Sequence, residues 1–182
     1  MNRLFRIFCC FLLPSAMLAQ EIKWLTLNQA LEEAAKKPKK ILIDVYTNWC
    51  PPCKMLNQRT FGNPDIAKYI NENYYAVKFN AEGNQAVEFK GRKYQNPDFD
   101  ANKSEQRNGT HEFTMVIAPV NGRIAYPTVV FLTEKGDLIT NMQGFIPAKD
   151  FEPVLYFIQN EAYSKGITFN DYLKNFNGKI KQ

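Results

Sequence analysis

The sequence predicts an α/β domain, a central mixed sheet flanked by helices, ordered β-α-β-α-β, then a long connection, then β-β-α. Three observations carry this. Ile41-Leu42-Ile43-Asp44-Val45-Tyr46 is apolar on both faces apart from Asp44, the pattern of a central strand covered on both sides. Segments of helical period alternate with the early strands, beginning with 28–37, where Leu27, Ala30, Leu31 and Ala34 share a face. Late in the chain, Thr128-Val129-Val130-Phe131-Leu132 returns through a Glu134-Lys135-Gly136-Asp137 turn as 138–143, a terminal hairpin.

The elements follow in order. Trp24-Leu25-Thr26-Leu27 reads as a short strand leading to the first helix, which Pro38 ends. After the strand 41–46, Thr47-Asn48-Trp49 is a loop, and Cys50-Pro51-Pro52-Cys53 opens a helix with its prolines in the tolerated first turn. Asn63-Pro64-Asp65 opens a second helical stretch with Ile66, Tyr69 and Ile70 at helical spacing, and Tyr75 to Asn80 is a strand. Residues 82–109 are polar and read as an insertion that is partly loop, with Phe89, Tyr94 and Phe99 as candidate contact area for a partner. Thr110 is placed to cap a helix over 111–118, with His111 on its surface or at its end. Pro147 starts a last helix to Ile158 that buries Phe151, Val154, Leu155 and Ile158, and 164–182 form a tail with a short helix around 171–176. The domain organisation expected is a leader at 1–19, a domain at 20–163 containing the 82–109 insertion, and the 164–182 tail.

Arg3 and Arg6, an apolar run from Leu4 to Leu13, and the turn-prone Pro14 to Ala19 have the layout of an export signal, with cleavage expected after Ala19. The apolar run is shorter than the roughly 20 residues that a membrane span needs. The formal charge is +5, two of it from Arg3 and Arg6. Beyond them the basic residues are interspersed with acids, and Lys36-Lys37-Pro38-Lys39-Lys40 reads as a solvated helix end, so nucleic acid is not an expected partner.

Cys9 and Cys10 would leave with the leader, so only Cys50 and Cys53 remain. One close pair is not a disulfide scaffold, and it closes too short a loop to stabilise much. Zinc needs about four ligands, and the mature chain offers these two cysteines and His111, so no metal and no cofactor is expected. A Cys-x-x-Cys pair at a helix start puts the first sulfur where unpaired N–H groups and the helix dipole favour thiolate, the attacking species in disulfide exchange. Cys50 is then the nucleophile, and Cys53, one turn on, resolves the mixed disulfide.

The run from Ile41 to Lys54, including Trp49 just before Cys50 and Lys54 just after Cys53, resembles the active-site strand, loop and helix of thioredoxins. Within about 22–162 the chain looks most like the exported thioredoxin-like proteins of bacteria, of the thiol:disulfide interchange type. The resemblance implies a thioredoxin fold with the insertion lying before the cis-proline strand. It implies that Asp44 is the buried acid assisting proton transfer at the resolving cysteine, that Lys78 accompanies it, and that Tyr126-Pro127-Thr128 is the cis-proline segment. Clients would dock against Trp49, Pro51, Pro52, Tyr126 and Pro127, and Gly144 also fits the pattern. Independently, an acid in an apolar strand is costly unless neutral, paired or functional; a plain buried ion pair with Lys78 is the alternative. Pro51-Pro52 departs from the Gly-Pro of thioredoxin, and the 82–109 stretch is longer than in a minimal thioredoxin.

The resemblance implies a protein-disulfide oxidoreductase in the periplasm, reducing disulfides of exported client proteins and recharged by a membrane thiol-relay electron donor. A disulfide oxidase or isomerase is the alternative within the class. Outside it stands a non-enzymatic binding module, against which the intact cysteine pair weighs. A peroxidase would need a differently activated cysteine.

Overall fold

The computed structural model describes residues 21–180, so the leader expected at 1–19, with Cys9 and Cys10, lies outside the described residues. Thr26 ends the short strand β1 (Trp24–Leu25) and caps α1 (Leu27–Lys36) through a reciprocal box with Gln29. Strand β2 (Lys40–Tyr46) leads to the Cys50 loop and α2 (Pro51–Leu56), which continues as a π-helical turn over Asn57–Phe61. Helix α3 (Pro64–Asn73) is capped by Asn63 and runs directly into β3 (Tyr74–Asn80). The sheet is completed by β6 (Thr128–Leu132) and β7 (Leu138–Gln143), in the order β1-β3-β2-β6-β7. β1 and β2 run parallel to β3, β6 runs antiparallel to β2, and β7 antiparallel to β6, so the sheet is mixed as expected.

The two-residue period of β2 divides the core. Ile41, Ile43 and Val45 face one cluster, with α1 and Phe113; Leu42 faces the other, with Leu56, Ile66, Ile70, Phe131, Phe151 and Leu155. Asp44 shares the second face with Leu42, beneath α2. Register sets Asp44 beside Lys78 on β3 and opposite Val129 on β6. The parallel strands β2 and β3 both end toward the Cys50 loop, and Thr128, paired with Val45, brings Pro127 to the same end of the sheet.

The insertion is a correction. Val87–Phe89 (β4) and Arg92–Tyr94 (β5) form a hairpin, turning at Lys90 and Gly91, both at positive φ. Phe89 and Tyr94 are buried, not partner contacts: each packs on Phe113, with ring centroids 5.1 and 5.6 Å away. The apolar residues alternate across the turn, so pairing the strands puts Val87, Phe89 and Tyr94 on one face, over the first core cluster. Phe99 alone of the three aromatics stays half-exposed.

Helix α4 (Glu112–Ile117) is capped by His111, not Thr110. His111 is fully buried rather than on the surface, its Nδ1 accepting from the Phe113 N–H at 3.0 Å while Nε2 lies 2.7 Å from the Gln85 carbonyl. Burial depresses its pKa, keeping the ring neutral. Lys40, expected in the solvated basic cluster, is the first residue of β2; it is buried and paired with Glu161 at 2.8 Å. Helix α5 (Ala148–Gln159) buries the four predicted residues and also Glu152, whose carboxylate accepts the Lys179 and Ile180 N–H groups. The short tail helix α6 occupies Phe169–Lys174, slightly earlier than expected, and Phe169 and Ile180 pack on the second cluster. No helix among the described residues is long and apolar enough to cross a membrane.

Because the hairpin is part of the core, Phe89→Ala should cost about 3 kcal/mol, whereas Phe99→Ala should cost less than about 1 kcal/mol, in urea unfolding of the disulfide form. Similar small losses at both positions would contradict this assignment of the insertion.

Candidate active site

Cys50 is the N-cap of α2, and its Sγ accepts from the Cys53 N–H at 3.1 Å. Pro51 and Pro52 occupy the first two helical positions and have no N–H. The Cys53 amide is therefore the first backbone donor the helix can offer the Cys50 sulfur. The two cysteines are joined as a disulfide and buried, while Pro51 and Pro52 are exposed beside them. The Tyr126–Pro127 peptide is cis, Pro127 is buried, and the Tyr126 ring meets Trp49 edge to face at 6.2 Å.

Asp44 is buried and lines the same cleft as Cys53. One carboxylate oxygen, Oδ2, lies 3.7 Å from the Lys78 ammonium; the other, Oδ1, has no hydrogen-bond partner among the described residues. Burial pushes its pKa up from 3.8 to about 6, and the Lys78 ammonium limits the rise. Lys78 does not close on the carboxylate because other groups hold it. It donates to Asn57 Oδ1 at 2.6 Å and stands over the rings of Trp24 and Tyr46 at 5.1 and 5.3 Å. A cleft of about 270 Å³ runs along these groups, lined by Asp44, Cys53, Lys54, Asn57, Lys78 and Glu105. It connects the acid and the second cysteine to solvent.

Of the residues singled out in the sequence, Asp44, Cys53 and Lys78 share this cleft, and Trp49 and Tyr126 form a second group over Cys50's loop. Sequence reasoning missed what holds Trp49. Its indole N–H donates to the buried Glu82 carboxylate at 2.7 Å, and the same oxygen accepts the Asn108 N–H at 2.9 Å. Asn48 donates to the Ser104 carbonyl and to Glu105, and the Arg107 guanidinium lies 4.9 Å over the Trp49 ring. Asn57 was also missed. Glu82 carried a signal: it follows β3 at the carboxyl end of a parallel strand, where sites on α/β sheets gather. Arg107 and Asn108 carried none, since only the folded insertion returns them to Trp49. Among the described residues no group of three His, Cys, Asp or Glu side chains is set to hold a metal.

The buried acid has a consequence for stability. The unfolded chain ionises Asp44 at its ordinary value, while the folded chain keeps the proton to about pH 6. The folded state thus holds more protons between those limits, and stability present below them is lost as pH rises through about 6. The shift from 3.8 to about 6 corresponds to about 3 kcal/mol. Relative to Asp44→Asn, the wild-type disulfide form should lose stability of that order between about pH 4 and pH 7 in urea titrations. Parallel stability–pH curves for the two proteins would contradict the assignment of the titrating acid.

Three comparisons bear on this arrangement. The chain shares the fold of a thioredoxin-fold protein from Helicobacter pylori (TM-score 0.53, 21% identity, 75% of this chain and 78% of that one). It also shares that of a thioredoxin from Thermus thermophilus (TM-score 0.55, 15% identity, 81% of this chain and 94% of that one). A stretch of 44 residues, 24% of this chain, is 43% identical to the thiol:disulfide interchange protein DsbD of Escherichia coli (strain K12) and spans 7% of that relative's length. Residues 27–159, most of the chain, match the family described as thioredoxin-like domain, and the chain belongs to that family.

Proposed function

We propose that the protein is a thiol–disulfide oxidoreductase that reduces disulfides of exported client proteins through Cys50 and Cys53. The observation that carries the reading is the pairing of a helix-capping Cys50 with a Cys53 that shares a solvent-connected cleft with a buried Asp44, whose pKa burial raises to about 6. In the dithiol form the Cys50 thiolate attacks one client sulfur, the client S–S bond breaks, and the other client sulfur leaves and takes a proton. Cys53 then loses its proton to Asp44 along the cleft and attacks Cys50 Sγ. The second client thiolate leaves, the client has gained two electrons and two protons, and Cys50 and Cys53 are joined as in this structure. Asp44, ionised before this step and protonated by Cys53 in it, then returns the proton to solvent through the cleft. Exchange of this kind passes electrons between sulfurs and requires no other group.

In this reading Lys78 tempers the acid, while Trp49, Pro51, Pro52, Tyr126 and Pro127 form the surface on which a client lies. The leader-like residues 1–19 and the local likeness to DsbD support action in the bacterial envelope, the periplasm. There a reductase has to be recharged from outside its own compartment, and a membrane thiol relay is the class of donor that fits.

Cys53→Ala expressed in the native host should accumulate mixed disulfides through Cys50, and Cys50→Ala should not. Non-reducing gels and mass spectrometry of the trapped species check both, and the trapped clients should be exported proteins. The reverse pattern would overturn the roles of the two cysteines; clients confined to the cytosol would remove the envelope part of the reading.

A further inference from the structure

Besides Glu82, the insertion reaches the active site through a short loop, 104–108, and that loop presents a cation. Glu82 fixes its end by accepting the Asn108 N–H along with the Trp49 indole N–H. Asn108 is locked in turn, its side chain bonded to the backbone of Asp100 at both ends. Asn48 holds the loop's start through the Ser104 carbonyl. Between these ties, Arg107 is laid over the Trp49 ring, one residue from Cys50 in sequence. The side chain is exposed. Among the described residues it has no carboxylate within ion-pair distance. Of the neighbouring charges, Glu105 is hydrogen-bonded to the neutral Asn48 amide, Lys103 pairs with Asp100, and Lys54 is a further exposed cation, lining the cleft beside Cys53. The buried Asp44 lies beside Lys78, and the buried Glu82 carboxylate is held by two neutral donors, the Trp49 indole N–H and the Asn108 N–H.

A guanidinium stacked on an indole is already ordered, so less side-chain entropy is lost when its planar fork takes up an oxyanion. The fork matches a carboxylate in two-point geometry. We propose that Arg107 is a specificity-determining residue that docks an acidic side chain, Asp or Glu, flanking the client disulfide. The proposal rests on the oxidoreductase reading above and gives its substrate class: polypeptides whose disulfide lies beside an acid. It also assigns the 104–108 loop a task that the hairpin, which packs Val87, Phe89 and Tyr94 into the core, does not share.

The test uses three disulfide peptides, alike except for Glu, Gln or Lys beside the cystine. Exchange with the full chain is followed in both directions, as peptide reduction and as oxidation of the peptide dithiol. The wild type should favour Glu over Gln by about threefold and Glu over Lys by about tenfold in kcat/KM, carried by KM, as a single exposed ion pair allows. The preference should shrink as salt rises from about 0.01 M to about 1 M. Arg107→Gln should bring the three rates together, Arg107→Glu should reverse their order, and Arg107→Lys should keep the order with a smaller spread. Equal rates for the three peptides with the wild type, or a spread that survives Arg107→Gln, would overturn the role of Arg107 and leave the oxidoreductase reading standing. No exchange with any peptide in either direction would overturn both.

Discussion

Burying the Asp44 carboxyl within a central strand is tolerable only because its charge is optional. With one oxygen facing Lys78 at 3.7 Å and the other unbonded among the described residues, the group is supported as an acid better than as an anion. The surroundings are arranged around that condition. β2 puts Asp44 on the face beneath α2, β3 sets Lys78 alongside in register, and Asn57 with the Trp24 and Tyr46 rings restrains the ammonium from closing on it. A tighter ion pair would favour the carboxylate, and no pair would favour the neutral acid further. The loose contact keeps its ionisation near the physiological range, at the second cysteine's side of the cleft.

The insertion links the two halves of this arrangement. Its hairpin fills the core against Phe113, while its 104–108 loop grips the residues before Cys50. Trp49 is thus held from below by Glu82 and covered by Arg107, a geometry that depends on the hairpin being folded. Removing 82–109 as a unit would strip Val87, Phe89 and Tyr94 from the core, so the insertion is not separable from the domain. What is separable is the exposed side chain of Arg107.

Much of this was legible in the chain itself. The apolar strand interrupted by Asp44, the Cys50-Pro51-Pro52-Cys53 helix start and the Thr128–Leu132 hairpin strand each speak through local pattern, and each stands where the pattern put it. The family resemblance supplied Lys78 and the Tyr126–Pro127 segment, neither of which has a local signature of its role. Other features were not legible because they arise from pairing at a distance. Phe89 and Tyr94 look like exposed aromatics in a polar stretch until β4 and β5 pair and turn them to one side. His111 looks like a surface residue until the Gln85 carbonyl meets its ring. Asn57 and Arg107 are ordinary polar residues by composition, and only the fold brings one to Lys78 and the other to Trp49.

The proposed direction of electron flow rests on the same groups. Strong oxidants of this chemistry owe their driving force to a stabilised thiolate. Here Pro51 and Pro52 withhold two backbone donors from Cys50, leaving the Cys53 amide, and an ionised Asp44 opposes a nearby thiolate. Both effects favour the disulfide form, and on them rests the proposal of a reducing dithiol. The equilibrium potential of the Cys50–Cys53 couple against a glutathione series tests this most directly. The account predicts a value between about −270 mV, as in thioredoxin, and about −180 mV, as in disulfide isomerase; a value more positive than about −150 mV, toward the strong oxidant DsbA near −120 mV, would contradict it.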